Sequence, residues 1–175
     1  QSGIMSGKAY NPFSVYLKEK YGAKVYKITI DAGFDCPNRD GTISSGGCIF
    51  CDAGGSFSQA HSNLLSVEDQ INAGVASLSE KFKAKKFMSY FQAYTNTYKP
   101  VDELKTIYDA SLKHPDVIGI SIGTRPDCVD EEKLDLIAGY VENYETWVEY
   151  GLQSIHDRTL RFINRGHDYK KFLEA

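Results

Sequence analysis

VIGISI (Val117–Ile122) is a continuous apolar run, the pattern of a β-strand covered on both faces. Val25–Ile30 (VYKITI), Phe87–Tyr94 (FMSYFQAY) and Trp147–Leu152 (WVEYGL) also read as strands. Segments of helical period separate them. Ser66 reads as an N-cap with Asp69 three residues on, followed by Val67, Ile71, Val75, Leu78 and Phe82 on one face. Pro100 opens a second helix carrying Leu104, Ile107, Tyr108 and Leu112; it ends before His114-Pro115, because the residue before a proline disfavours helix. Asp130 caps a third helix with Leu134, Ile137 and Val141 inward, and Asp157 begins a fourth. Strands alternating with helices in this way imply an α/β fold with a parallel sheet of right-handed βαβ units. A doubly wound open sheet and a partial (β/α) barrel both satisfy the pattern. In either, chemistry collects at the C-terminal ends of the strands. The polar loops after the four strands, namely the cysteine loop, TNTY, GTRPDC and QSIHD, are therefore expected on one rim.

The 175 residues suit one domain. Residues 1–24 read as an N-terminal extension with a short helix in NPFSVYLKEKYG, and Gln1–Ile4 as a vector remnant before a native start at Met5. Residues 25–175 form the core, and stopping after four βα units suggests a truncated barrel, since an unclosed sheet leaves a free strand edge. With 42% hydrophobic and 25% charged residues, the composition is that of a soluble globular protein. The formal charge of −3 gives no global reason to expect nucleic acid. No apolar run is long enough to span a membrane, and the start lacks a secretory pattern. A cytoplasmic location, where thiols stay reduced, follows as the expectation.

Three of the four cysteines fall within CPNRDGTISSGGCIFC, Cys36, Cys48 and Cys51, spaced C-x11-C-x2-C. In a reducing compartment such a group reads as a metal site rather than a disulfide framework. Three readings fit. His61 could complete a Cys3His zinc site in a non-enzymatic binding module. Cys128 could complete the four thiolates of an electron-transfer iron–sulfur protein. Or a [4Fe–4S] cluster keeps only three protein ligands, leaving one iron open to a small molecule.

The third pattern resembles the radical S-adenosylmethionine enzymes, whose cluster motif ends in two cysteines separated by two residues, the second commonly aromatic, as in Cys48-Ile49-Phe50-Cys51. Their usual first gap is three residues. The longer gap is shared by relatives of the elongator catalytic subunit and by one bacterial family, in which DAGFDCPNRDGTISSGGCIFC, YFQAYTNTY, GTRPD and VEYGLQSIHDRTLRFINRGHDY all have similar counterparts. The resemblance favours the partial barrel. It implies that Cys36, Cys48 and Cys51 bind three irons and that S-adenosylmethionine chelates the fourth. One electron, from a donor such as flavodoxin or ferredoxin, then yields methionine and a 5′-deoxyadenosyl radical that abstracts hydrogen. It also implies a tRNA substrate, because members of that bacterial family are linked to wobble-uridine modification.

Further site residues follow from the same resemblance. Phe50 packs near the adenine, with plain core packing as the alternative. Gln153 and Arg165 match positions that contact S-adenosylmethionine in coproporphyrinogen-oxidase-like relatives; glutamine suits ribose hydroxyls and arginine a carboxylate. A surface ion pair is the alternative for Arg165. Thr95 and Asn96 stand where a glycine-rich amine-binding stretch is usual, and Gly123 and Thr124 where relatives often carry an acidic residue. Asp127 and Cys128 are catalytic candidates on the rim, Cys128 as a hydrogen-atom donor or as an inert buried thiol. His156 or His167 could touch substrate. The basic run Lys81–Lys86 and the rings of Tyr94 and Tyr98 could meet RNA, or serve only as a solvated helix end and packing.

Overall fold

The computed structural model describes residues 9–52 and 65–175. Its centre is a four-stranded parallel sheet of β1 (Val25–Ile30), β2 (Lys86–Phe91), β3 (Val117–Thr124) and β4 (Glu145–Tyr150), in the order β1-β2-β3-β4. Each strand lies beside its predecessor, so the order never reverses as it does in a doubly wound sheet. The fold is the α/β partial barrel, with the sheet unclosed.

Right-handed crossovers between adjacent strands put the connecting helices on one face. These are α2 (Val67–Phe82), α3 (Val101–Ser111) and α4 (Glu131–Ala138); α1 (Phe13–Tyr21) precedes the sheet. The period of two then divides the strands cleanly. Ile28, Ile30, Phe87, Phe91, Ile120 and Ile122 face the helices and pack with Ile71, Leu104, Tyr108, Leu112 and Ile137. The other face carries Met88 and Trp147 together with polar residues that are bonded to one another. Glu149 accepts from Lys27 Nζ and Ser121 Oγ, each at 2.7 Å, and from Tyr90 Oη at 3.4 Å. At the N-terminal end of that face, Phe13 packs edge-on against Trp147. Glu145 there accepts from Tyr16, Lys20, Tyr21 and Trp147, which pins α1 across the barrel floor.

Local signals place the helix starts. Ser66 Oγ accepts from Asp69 N at 3.1 Å, and Asp130 accepts from Lys133 N at 3.0 Å, each satisfying an orphan amide of a first turn. Three boundaries differ from expectation. β2 stops at Phe91 rather than Tyr94, and Tyr94 itself adopts a left-handed φ of 61° that no strand residue takes. β4 begins at Glu145 and ends at Tyr150, so Gly151 and Leu152 belong to the exit loop. Val141 lies beyond α4 and is exposed rather than inward. Gly119 shows why β3 and β4 can approach so closely: a β-carbon there would run into the Glu145 carbonyl.

Candidate functional site

The chain leaving β1 folds as a tight turn in which Arg39 N and Asp40 N both donate to Cys36 O, at 2.8 and 3.1 Å. Asp40 and Ser45 pair as an isolated antiparallel bridge, and Gly46 and Gly47 take positive φ before Cys48. Cys51 N then donates to Cys48 O at 2.9 Å, so the last two thiols sit at the two ends of one turn. By this route all three thiols open onto one cavity of about 310 Å³ at the C-terminal ends of the strands, within the range of small-ligand pockets. Phe50, Thr95, Thr124, Gln153 and Arg165 line the same cavity, although they span more than half of the sequence. Arg39, Tyr90, Gln92, Tyr94, Arg125 and Glu149 line it too.

Nitrogen donors approach every sulfur. Arg39 Nη1 lies 3.7 Å from Cys51 Sγ, Arg125 Nη1 4.0 Å from Cys36 Sγ, and Arg165 Nη1 3.6 Å from Cys48 Sγ. Asn38 Nδ2 adds a contact to Cys48 Sγ at 3.4 Å. The thiolate is the form of cysteine that binds metal, and cationic neighbours stabilise it. Arg125 is buried and held by Asp127 through two bonds, Nε to Oδ1 at 2.9 Å and Nη2 to Oδ2 at 2.7 Å. Burial opposes the charge of this guanidinium, but bonding to Asp127 outweighs it and leaves the pKa above the ordinary arginine value. Gly166, with φ of 80°, allows the chain past this point, since a β-carbon there would strike Asn38 Oδ1 and crowd Arg125 Nη2.

Arg165 is buried, which removes the surface-ion-pair alternative. Its Nε donates to His167 Nε2 at 3.0 Å and its Nη2 to Gly151 O at 2.7 Å. His167 Nδ1 faces Asp168 O at 3.1 Å, so the neutral ring carries its proton on Nδ1. Burial lowers the His167 pKa and favours that neutral form. Phe50 is half exposed on the cavity wall rather than packed in the core. Thr124 Oγ1 bonds to Thr97 Oγ1 at 2.6 Å. Gln153 sits in the exit loop of β4 with φ of 70°.

Three expected residues lie off the cavity wall. Asn96 Nδ2 is committed to Gly123 O at 2.7 Å. Asp127 is committed to Arg125, and it lines a second cavity with His167, Arg161 and Lys171. Cys128 is buried; burial and the neighbouring Asp127 push its thiol up to about 12, which keeps it protonated at neutral pH. His61 and residues 1–4 lie outside the described residues. His156 is exposed at the start of α5 (Asp157–Phe162) and lines a separate cavity with Arg158, Thr159 and Phe162 rather than the one that holds the cysteines. The run Lys81–Lys86 ends α2 and enters β2, so it lies at the opposite end of the strands from the cavity. Tyr94 lines the cavity under Arg39, whereas Tyr98 bonds to Thr42 on the cysteine loop. Sequence reasoning missed Asn38, Arg39, Arg125 and Glu149. The signal for Arg125 was a cation two residues before an acid in RPD, immediately after a buried strand.

The thiols fit an iron–sulfur cluster, which attaches each thiolate to a different iron and so suits three cysteines around one cavity. The buried hydroxyl of Thr95 also has no hydrogen-bond partner among the described residues, and Thr95 lines that cavity, as a residue awaiting a polar ligand would. Among the described residues no helix is long and apolar enough to cross a membrane.

Comparison with known proteins agrees with this chemistry. The chain is 44% identical over 168 residues to the uncharacterized protein YtqA of Bacillus subtilis, covering 96% of this chain and 52% of that protein. It is 45% identical over 163 residues to protein YhcC of Escherichia coli K12 (93% and 52%). It is 42% identical over 172 residues to the uncharacterized protein MJ0486 of Methanocaldococcus jannaschii (97% and 52%). The chain thus spans about half the length of these relatives. The family model of the Radical SAM superfamily, whose members hold a [4Fe–4S] cluster and S-adenosylmethionine, matches residues 39–175. With that match over most of its length and three thiols on one cavity at the strand ends, the chain belongs to the Radical SAM superfamily.

Proposed function

We propose that this chain is the cofactor-holding part of a cytoplasmic radical S-adenosylmethionine enzyme that modifies the wobble uridine of tRNA, taking a carboxymethylaminomethyl side chain toward the aminomethyl form. The observation that carries the cofactor assignment is the convergence of Cys36, Cys48 and Cys51 on one cavity, each sulfur within reach of a guanidinium. When bound there, a three-thiolate [4Fe–4S] cluster with S-adenosylmethionine supplies a carbon radical able to abstract hydrogen from a substrate carbon. The reducing electron comes from a donor of the flavodoxin or ferredoxin class.

The chain's own residues bind, orient and shield. Arg165 offers guanidinium N–H groups to the cofactor carboxylate, and Gln153 offers its amide to ribose hydroxyls. The Thr95 hydroxyl, buried and without a partner among the described residues, takes a polar group of the same molecule. Thr124 completes that wall, and Phe50 covers the adenine. Asn96 acts one layer back by fixing the Gly123 carbonyl. Asp127 holds Arg125 in place, and Cys128 stays a protonated thiol. The tRNA assignment is supported by the resemblance of the cysteine loop and of VEYGLQSIHDRTLRFINRGHDY to the wobble-uridine family, and by Tyr94 on the cavity wall as a face on which a base can stack.

Anaerobic reconstitution with iron counting and spectroscopy tests the cofactor. The expected result is about four irons and a spectrum that changes when S-adenosylmethionine is added. One equivalent of zinc, lost in His61→Ala, would replace this reading with the zinc module. A four-thiolate cluster lost in Cys128→Ala and indifferent to S-adenosylmethionine would replace it with the electron carrier. For the substrate, nucleosides of tRNA from cells lacking the protein should accumulate the carboxymethylaminomethyl form; an unchanged wobble-uridine profile removes the RNA assignment.

A further inference from the structure

The eleven residues between Cys36 and Cys48 do more than span a distance. They carry Asn38 and Arg39, whose nitrogens contact Cys48 Sγ and Cys51 Sγ at 3.4 and 3.7 Å. Arg39 is braced by its bond to Asp52 O at 2.7 Å and by the face of Tyr94, 5.4 Å from the ring centre. From the far side of the cavity, Arg125 reaches Cys36 Sγ at 4.0 Å. The bidentate grip of Asp127 leaves its Nη1 directed at the sulfur. Two arginines from different loops thus take two different ligand sulfurs, and Arg165 takes the third.

We propose that Arg39 and Arg125 set the reduction potential of the cluster held by Cys36, Cys48 and Cys51. This rests on the cofactor reading above and extends it to residues with no assigned role. The reaction concerned adds one electron to the oxidised cluster from a low-potential reductant; no bond breaks and no proton moves. The electron makes a thiolate-ligated cluster more negative, so guanidinium N–H groups at the sulfurs stabilise the reduced form more than the oxidised one. Both arginines favour the electron's arrival, and removing either makes reduction harder. For this potential Asp127 is a positioning residue, acting through Arg125.

The test is a mediator titration with dithionite as electron source, read by electron paramagnetic resonance of the reduced cluster on reconstituted protein without S-adenosylmethionine. Iron content is measured alongside. Arg39→Gln and Arg125→Gln should each lower the equilibrium constant for reduction about tenfold, which is about 59 mV for one electron. Arg39→Lys, which keeps the charge, should recover part of the shift. Arg161→Gln, removing an exposed cation that lines the second cavity, should leave the potential unchanged. Should Arg125→Gln fail to fold or load iron, Arg39→Gln and Arg39→Lys decide the matter, because Arg39 is only half-buried. Potentials equal to the parent in fully loaded variants overturn the proposal, since a purely structural role changes iron content and not potential. A parent protein that binds zinc or no iron overturns the cofactor reading itself, and that is seen before any variant is compared.

Discussion

Arg125 and Asp127 form the most deeply buried ion pair among the described residues, with side chains 2% and 11% exposed. Removing one partner of such a pair leaves an uncompensated charge, at a cost of about 3–5 kcal/mol. Asp127→Ala should therefore lower the urea midpoint by the equivalent of that range, whereas a surface pair such as Lys113–Glu68 should tolerate the loss of Lys113 with about 0–1 kcal/mol. A midpoint within experimental error of the parent would show that Asp127 does not restrain Arg125. The same carboxylate contributes to the chemistry of Cys128. Burial and the Asp127 charge push that thiol up to about 12 and keep it protonated at neutral pH.

At the scale of elements, α1 is tied to the sheet by one carboxylate. Glu145, at the start of β4, accepts Lys20 Nζ at 2.6 Å, Tyr21 Oη at 2.8 Å, Trp147 Nε1 at 2.7 Å and Tyr16 Oη at 3.2 Å. Burial alone would raise its pKa, but these donors prevail and hold it below the ordinary glutamate value of 4.5. A depressed folded pKa means that the unfolded chain takes up its proton first as pH falls. Glu145 therefore contributes stability that is complete above about pH 4.5 and is lost as pH drops through its folded pKa. Glu145→Gln should remove that acid-side decline and cost about 1–3 kcal/mol at neutral pH, as donors lose their charged acceptor. Denaturant unfolding from pH 3 to pH 7 measures both, and an unaltered slope in the variant would assign the decline to other carboxylates. Burial raises the Tyr21 hydroxyl to about 12, with Glu145 adding to it, so this partner stays a donor throughout that range.

For the whole molecule, the difference in polarity between the two faces of the sheet is explained by what each face meets. The helix side is a continuous apolar core, while the other side carries the Lys27–Tyr90–Ser121–Glu149 network leading up to the cavity. The cavity draws its walls from the exit loops of all four strands, so a ligand seated there links elements that the sheet joins only pairwise. Ligand binding to the folded state alone stabilises by mass action, about 2.7 kcal/mol at a hundredfold excess over Kd. For a chain of this length that is a rise in melting temperature of about 5–10 °C. Adding S-adenosylmethionine to cluster-loaded protein should give that shift, and the cluster-free protein should give a much smaller one. Equal shifts in both would place the nucleoside away from the thiols.

Much of this architecture is legible in the chain because its signals are local. The Ser66 and Asp130 caps, the apolar stripe of α3 and the run at Val117–Ile122 each depend on neighbours a few residues away, and the structure reproduces them. So does the spacing of Cys48 and Cys51, two ends of a single turn. Boundaries were less legible, as with Tyr94, which reads as a strand residue but takes a left-handed φ beyond the end of β2. Strand order and the donors around the sulfurs needed tertiary structure altogether. Arg125 meets Cys36 across 89 positions, and Arg165 meets Cys48 across 117. No periodicity encodes such pairs, because a guanidinium finds its sulfur only after the sheet has brought separate loops to one rim. The amino-acid sequence by itself determined which residues could bind metal and where strands and helices alternate; the folded sheet decided which charges surround those thiols, since long-range electrostatics depends on distance in space rather than along the chain.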